Sequence, residues 1–584
     1  MTEKPDKDIK AVLARRIDQA LGRTDADLVV RGVGLLNVAT GDIERTDIAI
    51  CGDRIVGTYD HGYRGRREID GKGLFAVPGF IDTHVHPEST LVQPGEFDRL
   101  VLPRGTTTAI ADPHEITNVL GIPGLRYVLE AALGLAMDLR INLPSCVPAS
   151  HLETSGAVLT AADLVAFKDH PKVIGLAEFM NFPGVLAKDD AVLDKLAAFD
   201  GCHIDGHSPL LSGRALNAYL SCGVRNCHEV TTPAEAMEKL RKGMQVLIRD
   251  GSVTRDVEAL SGLIDMARSP FLAFCTDDRT PLHIVEDGHI DHLIRTAIAR
   301  GAPPAAAYRA ATWSAARGFG LTDRGLIAPG YRADIVLLSD LADCRVEAVI
   351  KDGRPVDDAT FAGRVLPAPI GYGSVRRAPV EAALFQSRCD GPTGPVIGLI
   401  PHQIITRHLS LSLPYRQGER LADPAQDVLK VAVLERHGRN GNVGRGFVQG
   451  FGLKAGALAS SIGHDAHNII VIGVNDADMA VAVNRLIALG GGFVAVDAGS
   501  VRAELALPIA GLMSDRPAEE VEQSLRALRA EVRRLGCPLD EPFVQMAFLP
   551  LSMIPHLKIT DFGLVDSDCM QLLSLDGDLL MAAD

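Results

Sequence analysis

No C-x-x-C pair occurs among the ten cysteines, which are scattered from Cys51 to Cys569. In a chain of 584 residues that pattern reads as reduced thiols in the cytoplasm, not as a disulfide frame. No apolar run is long enough to cross a membrane, so no membrane contact is expected. The opening stretch Met1-Thr2-Glu3-Lys4-Pro5-Asp6 is charged and lacks the apolar centre of a signal peptide. Positive charge is in deficit, with 59 Lys and Arg against 74 Asp and Glu and a net charge of -15. That argues against a nucleic-acid partner, though not against a nucleobase as a small substrate. Neither a fixed-period repeat nor a low-complexity tract is present. What is there is an ordinary soluble composition, 47% hydrophobic and 23% charged, over a length that suggests three or four domains.

Residues 76–325 alternate short apolar runs with amphipathic stretches, the pattern of a parallel sheet with crossover helices. Eight strands are expected: Ala76–Thr83, Thr106–Asp112, Ile141–Val147, Lys172–Phe179, His203–Gly206, Val224–Cys227, Gln245–Ile248 and Phe271–Thr276. Eight strands over this length fit a (β/α)8 barrel. An open doubly wound sheet would leave unexplained why polar residues gather at the strand ends. Short strands on both sides, in 1–75 and 326–372, are expected to pair into one small β-sandwich, two separate small subdomains being the alternative. From 373 to 584 new strands (Val428–Leu434, Ile469–Gly473) and helices (Asp476–Leu489, Ala518–Leu535) mark an additional C-terminal α+β domain. The fold class is therefore α/β, a barrel flanked by a small β domain and a third unit.

The most informative stretch is Pro78–Glu88, P-G-F-I-D-T-H-V-H-P-E. On a strand, residues two apart face the same way, so His84 and His86 can turn toward one metal ion. They follow a buried apolar run, which in a parallel barrel places them at the active-site rim. Later strand ends supply further ligand types in order: Glu178, His207, His228, and then Asp277 and Asp278. Each alone has an ordinary structural explanation. Together they form a mixed N/O donor set suited to Zn, Mn or Fe(II) and lacking the thiolates of a structural zinc site. A carboxylate such as Glu178 can bridge two cations, which would make the site binuclear.

With those motifs in hand, the chain resembles the amidohydrolase superfamily, and within it the bacterial adenine deaminases. The likeness rests on P-G-F-I-D-T-H-V-H-P-E-S (78–89), L-P-R-G-T-T-T-A-I-A-D-P-H-E-I (102–116), H-P-K-V-I-G-L-A-E (170–178), D-G-H-S-P-L-L-S-G (205–213), N-C-H-E (226–229) and C-T-D-D-R (275–279). It continues into the last domain with H-D-A-H-N-I-I-V-I-G (464–473) and E-P-F-V-Q-M-A-F-L (541–549). The resemblance implies hydrolytic deamination of adenine to hypoxanthine and ammonia by a metal-bound hydroxide, in purine salvage. It implies a binuclear centre, usually Mn or Fe(II) with Zn admissible, in which Glu178 stands where many relatives carry a carboxylated lysine. It favours Asp277 over Asp278 as the metal-bound proton carrier. Pro87 departs from the branch, which usually has an apolar β-branched residue there; the histidines are unaffected.

Asp112, His114 and Glu115, at the end of the second strand, are candidates for meeting the purine or an auxiliary metal, a strand-end turn with an N-cap being the alternative, and Asp278 is a candidate for orienting a metal ligand or contacting the purine. His464 and His467, in the last domain, precede a buried strand and could reach the barrel mouth or form a polar turn between domains. The ligand set alone does not separate adenine deamination from cyclic-amide opening or deamination of another nucleobase. A scaffold protein descended from a hydrolase is the non-enzymatic alternative; such descendants typically lose ligands, and here every position is filled. Several domains make a homo-oligomer, a dimer or larger, the expected assembly.

Overall fold

The computed structural model describes residues 8–580; the Met1–Asp6 stretch considered above lies outside them. After a helix at Ile9–Ala20 come β1 (Leu28–Leu36), β2 (Ile43–Cys51), β3 (Arg54–Gly57), β4 (Glu68–Asp70) and β5 (Phe75–Pro78). They join β14 (Ile335–Asp340), β15 (Arg345–Lys351) and β16 (Arg354–Pro355) in one sheet of order β16-β15-β14-β5-β1-β2-β3, with β4 on β1. The seam is antiparallel, Val77 opposite Val336 and Ala76 opposite Leu337. Side chains alternate across it. Ala76, Ile335 and Leu337 enter the core of this sheet with Val30 and Ile50, while Val77, Val336 and Leu338 enter the large core with Phe80. One face thus holds the sheet together and the other fastens it to the next layer. At the far edge Ile55 donates to the Tyr331 carbonyl at 3.0 Å and accepts from Gly330 at 2.9 Å. The expected sandwich is therefore one continuous sheet folded around its own core.

The next eight strands all run parallel to their neighbours. β6 (Phe80–Val85), β7 (Thr106–Ala111), β8 (Asp138–Leu143), β9 (Val173–Phe179) and β10 (His203–Gly206) form one curled arc. A second arc holds β11 (Asn226–Cys227), β12 (Gln245–Arg249) and β13 (Leu272–Cys275). At one junction Arg225 N donates to the Ile204 carbonyl at 3.3 Å and Gly206 N to Asn226 Oδ1 at 2.9 Å. At the other, Thr83 Oγ1 donates to the Phe274 carbonyl at 2.8 Å and Asp277 N to the His84 carbonyl at 3.0 Å. The carboxyl ends of the strands therefore lie on one rim.

Three strands differ from the sequence expectation. The run 76–83 is two strands, not one: it breaks at Gly79, where a Cβ would stand 2.2 Å from Thr107 Oγ1. The part before the break pairs into the folded sheet, and only the part after it into the arc. The third strand begins at Asp138 and stops at Leu143, ahead of the expected 141–147, because Pro144 has no N–H to continue the ladder. The sixth, expected at 224–227, is reduced to Asn226–Cys227.

The C-terminal region contributes β17 (Thr393–Leu399), β18 (Thr406–Ser412), a small hairpin of β19 (Tyr415–Arg416) and β20 (Glu419–Arg420), and β21 (Val428–Leu434). It continues with β22 (Val443–Gln449), β23 (Ala457–Ser460), β24 (Ile469–Gly473), β25 (Gly492–Asp497) and β26 (Ser500–Ala506). Eight of these form a sheet of order β18-β17-β22-β21-β24-β23-β25-β26. β27 (Leu557–Thr560), β28 (Gly563–Asp566) and β29 (Gln571–Leu573) make a three-stranded sheet of their own. The central strands β21 and β24 are buried throughout, as expected of strands covered on both faces. Helix Asp476–Leu489 starts where the Asn475 side chain accepts from Asp478 N and ends at Gly490, φ 76°, a glycine at the left-handed closing position. Leu458, Ile462, Ile470 and Phe543 share the large core with residues of the parallel arcs, so this region is packed onto the rest.

Candidate active site

His84 is the fifth residue of β6 and His86 follows its last. Their Nε2 atoms lie 3.1 Å apart. His86 Nδ1 donates to the Asp112 carbonyl at 2.9 Å, which leaves its Nε2 lone pair turned inward. Glu178, near the end of β9, sits between two groups of histidines. Its Oε1 is 3.6 Å from His84 Nε2, 3.4 Å from His86 Nε2 and 3.5 Å from His114 Nδ1. Its Oε2 is 2.5 Å from His207 Nδ1 and 3.3 Å from His228 Nε2. His207 and His228 follow β10 and β11 directly. Asp277, two residues past β13, has φ 54°. This left-handed conformation costs about 1–2 kcal/mol for a residue with a Cβ, and the bond from its N–H to the His84 carbonyl holds it. Asp277 Oδ1 faces His84 and His86 Nε2 at 3.5 and 3.1 Å, while Oδ2 accepts from Arg249 Nη1 at 2.8 Å.

All six residues are at most 6% exposed. Burial works to raise the pKa of Glu178, yet His207 and His228 hold it well below the carboxylate range. Burial also opposes ionising Asp277, and its contacts with His84, His86 and the Arg249 guanidinium hold it low. Both are therefore anionic. Burial disfavours charge on His84, but Asp277 and Glu178 push its pKa up to about 10. The cavity demands positive charge at the point where imidazole nitrogens and carboxylate oxygens converge. Divalent ions satisfy that demand, and the donors are those Zn, Mn and Fe(II) prefer. His84, His86 and Asp277 form one buried group of ligand atoms, and His84, Glu178 and His228 another.

A second layer of polar residues adjoins this one. His114 Nδ1 donates to Asp112 Oδ2 at 2.8 Å. Glu115 Oε1 is 2.9 Å from His464 Nδ1, and Glu115 Oε2 is bonded to His467 Nε2. Asp278 accepts from Ser89 Oγ, and its other oxygen is 3.4 Å from His464 Nε2. Asp278 thus turns toward the C-terminal region while Asp277 turns toward the histidines. Burial raises the pKa of Asp278. Of the second-layer residues singled out in the sequence, His467 touches Glu115 and, like Asp112, does not line the cavity. His464 does line it, its ring stacked on Phe548 at 5.1 Å and 13°. The cavity is closed on its apolar side by Met180, Ile404, Phe548 and Leu551.

Two residues of the site, Arg249 and Glu229, escaped the sequence reading, and a third, Asp465, stood there only as a member of the His464–Asn468 cluster. Arg249, the last residue of β12, donates to both oxygens of Glu229 and to Asp277. Glu229 Oε1 is 3.5 Å from His228 Nε2. Asp465 Oδ1 stands 3.7 Å from His114 Nε2. A charge closing an otherwise apolar strand, as in Gln245–Arg249, was the available signal for the first; adjacency to a candidate histidine was the signal for the other two.

Residues 75–356 match the model of the amidohydrolase family, and residues 403–571 match that of the adenine deaminase C-terminal domain. Curated relatives agree. An adenine deaminase of Methylobacterium nodulans is 61% identical over 565 residues, covering 96% of this chain and 100% of its own. One from Gluconobacter oxydans is 59% identical, covering 97% and 100%, and one from Cereibacter sphaeroides is 58% identical, covering 96% and 99%.

Proposed function

The chain belongs to the amidohydrolase family, in its adenine deaminase branch, and from that premise we propose how its residues hydrolyse adenine to hypoxanthine and ammonia. The family implies a divalent-metal site; ions bound there supply Lewis acidity and a water that ionises near neutral pH. His84, His86, Asp277 and Glu178 Oε1 would hold one ion, and His207, His228 and Glu178 Oε2 the other. The observation that carries this reading is Glu178, whose two oxygens face two separate pairs of histidines. Mn or Fe(II), with Zn admissible, fits a donor set of imidazole and carboxylate.

Asp277 is positioned as the proton carrier. Arg249 fixes one of its oxygens, and the other faces the cavity. It takes a proton from the attacking water as the O–C6 bond forms, then gives it to the amino nitrogen as the C6–N bond breaks and ammonia leaves. The ring gains electron density at a nitrogen during attack, and His464, whose pKa Glu115 and Asp278 push up to about 10 against the opposing effect of burial, is the proton-bearing group at the cavity edge: it gives a proton to that nitrogen, and the second water proton, left on the C6 hydroxyl, restores it as the carbonyl of hypoxanthine forms. Asp278 and Glu115 orient His464. Phe548 and Leu551 supply apolar surface for the flat purine.

In the same reading the two parallel arcs are one (β/α)8 barrel that starts at Phe80, not at the expected 76, and runs to 325; the described residues before it are an N-terminal segment and the first part of the small β domain, 326–372 are its second part, and the described residues from 373 on are the C-terminal α+β domain. The ten free thiols favour a cytoplasmic protein of purine salvage. Ile9, Leu13, Ile17 and Leu21, exposed at four-residue spacing on the first helix, favour a homo-oligomer.

The test is Asp277→Asn. Metal content should stay at two ions per chain while ammonia release from adenine drops by about 10³-fold. Near-normal turnover would remove Asp277 as proton carrier. A panel of adenine, guanine, cytosine and adenosine, run with Mn- and Fe-loaded enzyme, should show release from adenine alone.

A further inference from the structure

In the C-terminal region an open groove of about 770 Å³ lies between the segment 376–384 and the turn 435–445. Arg376, Arg377, Arg439 and Arg445 line it. Most buried cations in this chain face carboxylates, as Arg249 and Arg324 do. These four do not. Arg377 donates to the carbonyls of Glu435 and Asn442 at 2.8 and 3.2 Å, Arg445 to that of Leu384 at 2.7 Å, and Arg439 to that of Gly156 at 2.5 Å. Arg376 is exposed and, among the described residues, its guanidinium has no hydrogen-bond partner. Carbonyls orient a guanidinium without cancelling its charge. Of the two acids present, Glu435 is occupied, accepting from Arg439 N and Gly441 N at 3.1 and 3.0 Å, and Glu381 is exposed at the rim. A net positive groove thus persists on a chain of net charge -15. Pro379, Val380 and Leu384 make an apolar wall, and Asn440 adds a polar side chain beside the arginines.

We propose that this groove binds a phosphate-bearing small molecule of nucleotide size. Guanidiniums take phosphate oxygens in charge-assisted, often bidentate bonds, the apolar wall suits a heterocycle, and the volume lies in the usual range for ligand sites. The groove is also joined to the active site. Residues 435–437 continue β21 past its end. The Arg436 guanidinium donates to the His467 carbonyl, and His437 Nε2 donates to that of Ala466 at 2.7 Å. These two bonds hold the loop that carries His464 into the cavity. A ligand that draws in the 435–445 turn therefore acts on the position of His464.

The experiment is calorimetry of the Mn-loaded enzyme with AMP, saturating hypoxanthine being present to fill the catalytic cavity and adenosine serving as the phosphate-free control. AMP should bind once per chain, about tenfold or more tighter than adenosine. Arg377→Gln with Arg445→Gln should weaken AMP by about tenfold or more. Arg376→Glu, an exposed change that disturbs no hydrogen bond, should do the same with an unaltered melting temperature. In the absence of hypoxanthine, saturating AMP should change kcat or KM for adenine about twofold in the wild type and not in Arg376→Glu. No AMP binding up to about 5 mM, binding no better than adenosine, or equal binding by wild type and Arg376→Glu overturns the site. A change of oligomeric state in Arg376→Glu without AMP binding assigns the groove to self-association and overturns it as well. Binding with unaltered kinetics overturns the coupling.

Discussion

Arg249 neutralises three carboxylates at once, Glu229, Asp256 and Asp277, and all of them are buried. Arg249→Met should therefore do two things. It strands several anions, and breaking a buried ion network by removing one partner costs about 3–5 kcal/mol, which a drop in melting temperature will register. It also removes a cation that holds the pKa of Asp277 down. That pKa must rise, so the acidic limb of the kcat profile, where Asp277 loses the anionic form it needs, moves to higher pH. Turnover at neutral pH should fall about 100-fold with metal content retained. An unmoved acidic limb would show that Arg249 is structural only. At this scale the sequence was partly legible. The i, i+2 spacing of His84 and His86 and the ordered appearance of Glu178, His207 and His228 carry their own geometry. Arg249 does not, because its meaning depends on Asp277, a neighbour from a different strand.

At the scale of elements, strands whose apolar run ends in a turn were placed closely from sequence, as with β10, β21 and β24. The displaced strand is instructive. Asp138, at the start of β8, carries a charge that periodicity assigns to a loop. In the fold it is buried and surrounded by Lys172, Arg324 and Arg140 at 2.7, 2.7 and 2.9 Å. Burial opposes its charge, but those cations hold its pKa well below the usual carboxylate value. A carboxylate with a depressed folded pKa contributes stability above its unfolded pKa, about 3.9, and that contribution disappears as pH falls through and below that value. Asp138→Asn should lower the melting temperature at pH 7 by an amount matching about 3–5 kcal/mol. The gap between variant and wild type should narrow as the pH is taken from 5 toward 3. A gap that stays constant over that range would mean that the pairing does not stabilise β8 through charge. Gly79 teaches the same lesson in steric form: the break between β5 and β6 is set by Thr107 on the next strand, which no local pattern reports.

At the scale of the whole molecule, the cavity is not the property of the parallel arcs alone. The loop between β23 and β24 brings His464 against Glu115 and Asp278, and Phe548 and Ile404 close the apolar side. The sequence showed the His464–Asn468 cluster but left its role open, since its partners Glu115 and Asp278 lie far earlier in the chain, at the ends of other strands. The geometry makes a claim that separates binding the purine from binding the ions. His464→Ala removes a group that touches Glu115 and Asp278 but none of the six proposed ligands. Two ions per chain should remain, while KM for adenine rises about tenfold, the effect of losing one charge-assisted contact of about 1.5–3 kcal/mol, and kcat falls as the ring nitrogen loses its proton donor. Phe548→Leu should leave that donor present but less well oriented, raising KM with a smaller effect on kcat. Loss of an ion in His464→Ala would move this histidine into the ligand set. Unchanged kinetics in both variants would mean that the C-terminal region only covers the site, and that recognition of adenine is confined to the rim of the parallel strands.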